Sequence, residues 1–403
     1  MKKYIALAAL LAFISCEQFK EVADVQPVTI ITTNINVTSE NVPSDIPRPE
    51  NFSVKFINYN DKIEVVKTTD ANGNVSVNDL IPGIYSITAT GEIGYKGFNY
   101  IYNGTLANQT ITQTGKTLDL SVNVSKTGGL VMKEIYFNGS SGYYFKDQFY
   151  EIYNNGEETQ YADGLCIGTL LPLTASTTTY NWIVPDGHPE NYAYFGVIWQ
   201  VPLSGEGRNY PINPGESFII AQNALDHNDP NRNPGKSIDL SGAEFETHIY
   251  NQTVNPDNPD AVNMELRFGT VYGTQWLASV FGCAYCIFYP DGEIDQNTWV
   301  QPQGSSTQAK EIPLDWIVDG VELVNNESKI TQKRMPVAID AGATYTGATY
   351  NGKSVSRKIK ETKEDGRVLY WDTNNSSEDF QVNAAALVRR NGANIPSWNY
   401  WAN

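Results

Sequence analysis

Alternation with a period of two constrains this chain more than any other feature. Thr33-Asn34-Ile35-Asn36-Val37, Phe52-Ser53-Val54-Lys55-Phe56 and Leu118-Asp119-Leu120-Ser121-Val122-Asn123-Val124 are apolar at every second position, as is the shorter Val28-Thr29-Ile30. Successive side chains of a strand point to opposite faces, so each segment buries one face and wets the other. Asp70-Ala71-Asn72-Gly73-Asn74 punctuates the pattern with a tight turn, because Asn-Gly supplies positive-φ positions. Leu130 to Tyr136 and Gln148 to Asn155 also read as strands. Thr, Val, Ile and Tyr are plentiful, 32 glycines and 20 prolines interrupt them, and helical heptads are missing. The expected fold is all-β, with two β-sandwich domains over residues 27–127 and 128–403.

The first sixteen residues, MKKYIALAALLAFISC, follow a different logic. Lys2 and Lys3 form a basic start, and Ile5 to Ile14 is an apolar run too short to span a bilayer. Ser15 is the small residue a lipoprotein signal peptidase needs before its cysteine, whereas Phe13 departs from the usual Leu. Residues 1–16 therefore read as a lipoprotein signal peptide with Cys16 as the lipidated residue, and 17–26 as a polar tether. Glu17 and Glu21 weakly resemble a surface-export signal. The lipid would anchor the protein to the outer membrane, at the cell surface or on its periplasmic face.

Without that signal the chain carries 26 basic and 45 acidic residues, a formal charge of −19. Such a surface repels nucleic acid and anionic headgroups, so no nucleic-acid partner is expected. A hydrophobic fraction of 41% indicates a folded chain rather than a disordered one.

Two stretches carry family resemblances. A turn followed by Val75-Ser76-Val77-Asn78-Asp79-Leu80-Ile81-Pro82-Gly83-Ile84-Tyr85-Ser86-Ile87-Thr88-Ala89 resembles the prealbumin-like or carboxypeptidase-regulatory-like β-sandwich, which implies a spacer or docking module. Further on, Gln148-Phe149-Tyr150-Glu151-Ile152-Tyr153-Asn154-Asn155 with Asp163-Gly164-Leu165 looks like the opening of a lamin-tail domain. Three more pieces follow in that family's order: Ile212-Asn213-Pro214-Gly215 leading to Ile219-Ile220-Ala221, then Ile317-Val318-Asp319-Gly320-Val321, and finally Gly352 to Arg357 with Asp372-Thr373-Asn374-Asn375-Ser376-Ser377-Glu378-Asp379-Phe380. The resemblance implies an immunoglobulin-like sandwich enlarged by insertions near 168–210 and 224–262. It makes Asn154, Asn155, Pro214, Gly215, Asp319, Arg357, Asn374, Asn375, Asp379 and Phe380 fold determinants. Arg357 would pair with a nearby carboxylate such as Asp379, and Phe380 would enter the core. The combination also resembles Bacteroidetes surface lipoproteins of unknown function.

Signs of catalysis are sparse. The chain holds no G-x-S-x-G, H-E-x-x-H, Walker or dinucleotide motif, and its only histidines are His188, His227 and His248. Asp226, His227 and Asp229 share one loop: oxygen ligands suit Ca²⁺, a mixed set suits a transition metal, and a solvated turn accounts for the same residues. Cys283 and Cys286 form a lone C-x-x-C, open to a disulfide in an exported protein or to buried thiols. Lys353 to Arg367 is a basic stretch that suits an acidic partner or simply a solvated hairpin. No cofactor is expected. The expected function is a non-enzymatic, ligand-capturing accessory of a TonB-dependent uptake system, with an outer-membrane transporter or other surface protein as partner. A glycan or peptide hydrolase and a structural adhesin or scaffold are the alternatives.

Overall fold

The alternating segments become strands in the computed structural model of the chain. It describes residues 29–399 except 40–41, 43, 45, 96–97, 127–128, 175–191, 204, 250–255, 270–275, 277, 296 and 302–305. The expected signal peptide, Cys16 and the expected tether lie outside the described residues, as does His188.

Eight strands between residues 31 and 126 form two sheets. One is antiparallel, with Glu64–Thr68, Ser53–Asn58, Gly83–Tyr95, Phe98–Ile111 and Asn123–Lys126 side by side. In the other, Ile31–Thr38 runs antiparallel to Asn74–Leu80 and parallel to Lys116–Ser121. Ile31–Thr38 alternates buried and half-buried residues along its whole length. Ile35, Val37, Val54, Phe56 and Ile87 fill the core between the sheets. The Asn-Gly turn is fixed locally: Asp70 Oδ1 accepts the amides of Asn72 and Asn74 at 2.9 and 2.8 Å, and Gly73 takes φ +86°.

The rest of the chain builds two larger sheets. The first runs Val262–Asn263, Phe245–Glu246, Ser217–Ala221, Phe149–Asn154, Leu130–Tyr136, Ser354–Arg357, Phe380–Asn383. The second runs Glu265–Phe268, Tyr192–Gln200, Cys166–Leu170, Ala284–Phe288, Ile317–Val324, Thr344–Tyr345, with Lys310–Pro313 also paired to Tyr192–Gln200. Met132, Ile152 and Phe218 of the first sheet meet Ile167, Trp199 and Tyr285 of the second in the main core. Both sheets are covered on their outer faces too. Phe195, Ile198, Cys286, Met335 and Ile339 pack behind the second, and Tyr136, Phe149, Ile219 and Leu240 behind the first. Every residue of Leu130–Tyr136, Phe149–Asn154 and Ala284–Phe288 is therefore buried, which removes the alternation seen in the N-terminal sheets. Among the described residues no helix is long and apolar enough to cross a membrane.

The closing motif contacts the N-terminal sheets. Asn103 Nδ2 donates to the carbonyls of Thr373 and Asn374, and Lys55 pairs with Glu378 at 2.7 Å.

Candidate binding site

Strand register places the elaborated loops of the second pair of sheets together. Tyr136 lies beside Phe149 and Phe149 beside Ala221, so the loops that join or follow these strand ends gather at one end of the sandwich. Three of them interlock: 137–148, 222–244 and 346–353. Asn138 Nδ2 donates to Thr346 Oγ1 at 3.0 Å, to the Ala348 carbonyl at 3.2 Å and to Asn351 Oδ1. Tyr350 N and Gly352 N return to the carbonyls of Asn138 and Gly139 at 2.7 and 3.0 Å. Asn233 Nδ2 bonds Ser140 Oγ at 2.7 Å and joins the third loop. Asp147, fully buried below, accepts Tyr136 Oη, Ser140 Oγ and Ser237 Oγ. Burial pushes its carboxyl up, against the lowering effect of those hydroxyls.

His227 belongs to this scaffold. It is 1% exposed, with Nδ1 at 2.7 Å from Tyr144 Oη and Nε2 at 3.0 Å from the Asn223 carbonyl. A carbonyl can only accept, so Nε2 carries the proton and Nδ1 accepts from the tyrosine. Burial lowers the imidazole to about 4, so it is neutral at pH 7. Asp226 and Asp229 do not converge on it. Their Oδ1 atoms each accept an amide two residues on, at 2.8 Å, in turns of their own. Of the two readings of Asp226, His227 and Asp229, this arrangement matches the turn: both ring nitrogens are engaged, and each carboxylate accepts an amide of its own turn. Among the described residues no group of three His, Cys, Asp or Glu side chains is placed to hold a metal ion.

The rim of this end carries two tyrosines in unusual conformations. Tyr143 and Tyr350 have φ +59° and +54°, a region that costs a bulky L-residue about 1–2 kcal/mol. Their rings meet edge to face, centroids 5.1 Å apart at 73°. Tyr143 is 79% exposed, more than any other exposed large hydrophobic residue described. Gly139 lets the pair form, since a Cβ there would stand 3.1 Å from Tyr350 Cδ1 and 2.4 Å from the Tyr144 carbonyl, at φ +71°. Nothing in the local sequence singles out either tyrosine among the 24 of the chain.

At the other end, the turns at Pro214-Gly215, Asp365-Gly366-Arg367 and Asn391-Gly392 enclose a polar cleft of about 450 Å³. Arg367 lies along it, bonded to the Gly156 carbonyl and to Glu157 at 2.5 Å. Gly215, at φ +86°, donates to the Asn154 carbonyl at 3.0 Å, while Asn154 Nδ2 returns to the Ile212 carbonyl at 2.7 Å. Asn155 Oδ1 accepts Tyr370 N at 2.9 Å. The basic stretch splits: Arg357 is buried, whereas Ile359–Thr362 is an exposed strand of a hairpin.

Arg357 joins the two large sheets. Its Nη2 forks onto Asp319 at 2.7 and 2.8 Å, Nη1 lies 3.2 Å from Asp372 and 3.4 Å from Asp379, and Phe380 lies under the guanidinium at 4.9 Å. Asp319 also accepts Met132 N at 2.6 Å. Asp379 accepts Thr373 N at 2.8 Å and Asn375 N at 3.3 Å, which shapes the Asn374-Asn375 turn. A second set crosses the outer face of the first sheet: Lys133 with Glu151 at 2.7 Å, and Glu134 with Arg390 at 2.7 Å. These acids are committed to folding contacts.

Of the two readings of Cys283 and Cys286, a disulfide or buried thiols, the structure has the second. Both are free and buried. Cys283 faces the core between the sheets, where Sγ bonds the Leu173 carbonyl at 3.0 Å, and Cys286 faces the opposite layer with Met335 and Ile339. Residues three apart on a strand point to opposite faces. Burial pushes both thiols up.

Residues 213–387 match the family described as protein of unknown function (DUF4876). A crystal structure of a DUF4876 family protein from Bacteroides thetaiotaomicron VPI-5482 is 38% identical, covering 92% of this chain and 99% of that one, with a TM-score of 0.63. The chain belongs to the DUF4876 family. A candidate adhesin from Bacteroides ovatus ATCC 8483 is 10% identical over 71% of this chain and 83% of that one; its TM-score of 0.19 carries no argument for this DUF4876 protein. No curated protein matches the chain.

Proposed function

We propose that this DUF4876 protein is a lipid-anchored, non-enzymatic ligand-capture protein of the outer membrane that works beside a TonB-dependent transporter. The loop end carries the reading. Three loops are locked to one another by Asn138, Asn233 and the buried His227, and they hold the exposed Tyr143 against the half-buried Tyr350, both in a strained backbone conformation. Backbone strain beneath an exposed side chain adds nothing to the core, and it suits a surface shaped for a partner. The 226–237 loop lies in the 224–262 insertion, so that insertion contributes to the rim; the central part of the 168–210 insertion lies outside the described residues. The lamin-tail likeness, with Arg357 and the Asp319 and Asp379 carboxylates at its heart, supports a binding scaffold. The signal over residues 1–16 supports the lipid anchor at Cys16.

The test is affinity capture of the full-length protein from gently solubilised outer membranes, with Cys16→Ser as control. Support is a β-barrel transporter recovered in equimolar amount and lost with Cys16→Ser. Recovery of the lipoprotein alone at wild-type level contradicts the accessory reading and favours a free-standing hydrolase or adhesin.

A further inference from the structure

We propose that Tyr143 and Tyr350 form a stacking platform for the sugar rings of a neutral polysaccharide. The inference rests on the ligand-capture reading and names its ligand class.

The two rings meet at 73°, so a ring stacked on one tyrosine meets the other tyrosine at its side. The face of a pyranose is a patch of C–H groups with partial positive charge, which matches the negative face of an aromatic ring. Sugar hydroxyls need donors and acceptors around that face. Ser141, two residues before Tyr143, is exposed and offers its hydroxyl, while the amides of Asn233 and Asn351 are spent inside the loops and hold them in shape. That hydroxyl is uncharged, and the chain carries a formal charge of −17, which disfavours anionic polymers.

The platform is open. Tyr143 is 79% exposed, whereas a site for a small ligand encloses most of that ligand's surface. An open aromatic face suits a long chain that offers the same sugar face repeatedly. Preorganisation is present below it. Tyr350 N bonds the Asn138 carbonyl at 2.7 Å, Tyr144 N bonds the Ser140 carbonyl at 3.3 Å, and Gly139 leaves room for the Tyr350 ring. Rigid loops lose little entropy on binding.

The experiment is native electrophoresis of the detergent-solubilised full-length protein in gels containing pullulan, galactomannan, xylan or levan. Retardation by at least one polymer is expected, with apparent affinity at least tenfold weaker in Tyr143→Ala and Tyr350→Ala and retained in Tyr143→Trp. Tyr143→Gly separates binding from folding: glycine accepts φ +59°, so its melting temperature is expected to equal or exceed wild type while retardation is lost. Wild-type protein unretarded by all four polymers overturns the platform, as does wild-type retardation of Tyr143→Ala, or a Tyr143→Gly protein that melts earlier. Membrane capture is run on the same variants. Absent polysaccharide binding with the transporter retained overturns the platform alone, whereas retained polysaccharide binding without a transporter overturns the uptake reading alone.

Discussion

Replacing Arg357 by methionine tests what binds the two large sheets together. The guanidinium is 1% exposed and is the cation facing Asp319, Asp372 and Asp379. Methionine keeps much of the volume and removes the charge and the fork. Breaking a buried ion pair by deleting one partner costs about 3–5 kcal/mol, because the partner charge is left uncompensated. Here the carbonyls of Met132 and Trp371 also lose donors at 3.1 and 2.7 Å. Stacking on Phe380 contributes up to about 2 kcal/mol more. Interactions sharing one group do not add, so the expected loss stays at about 3–5 kcal/mol. The readout is urea unfolding followed by tryptophan fluorescence. The first of the eight tryptophans is Trp182, so the signal reports the larger pair of sheets. With a urea slope of about 3 kcal/mol/M the midpoint falls by at least about 1 M. Sign matters too. Burial pushes Asp319 up to about 6 even beside Arg357, and without the cation the carboxyls rise further. Protonation then relieves the variant, so its deficit shrinks as pH falls from 7 to 5. A deficit below 1.5 kcal/mol, or one that grows on acidification, refutes the reasoning.

Other outcomes follow from single positions. His227 is lowered to about 4 from 6.5, so its neutral form stabilises the fold above pH 6.5 and that contribution is lost as pH falls toward 4; about 3 kcal/mol is involved. His227→Gln should flatten that part of a stability–pH curve, and an unchanged slope contradicts the assignment. Cys283 and Cys286 should both be alkylated in urea without reductant and resist alkylation in the native state; a mass two hydrogens lighter would show them paired. Gly282→Ala should lower stability by more than about 2 kcal/mol in the same urea assay, since its φ is +92° and a Cβ would stand 2.5 Å from the Leu323 carbonyl. A loss under 0.5 kcal/mol would show that the backbone relaxes there.

The N-terminal sheets were readable because one face is wet. Alternation in Thr33 to Val37 is the direct imprint of a half-buried strand, and Asp70 to Asn74 encode their turn within five residues. The rest of the chain was readable as strands and motifs, but not as an environment. Lys133, Glu134 and Glu151 look like solvent-facing charges, yet all three are buried, because the outer face of their sheet is covered by 384–399. Glu134 meets Arg390 across 256 positions, a separation that no local pattern records. The spacing of Cys283 and Cys286 left a disulfide and buried thiols both open, and a sheet covered on both faces placed the two thiols apart. Local sequence determined where strands run and where they turn, since those depend on neighbouring backbone and side-chain periodicity. Only tertiary structure decided which charges are buried together, which turns share one rim and that Tyr143 stands exposed on it against Tyr350, because those depend on the layers that distant segments place over each face.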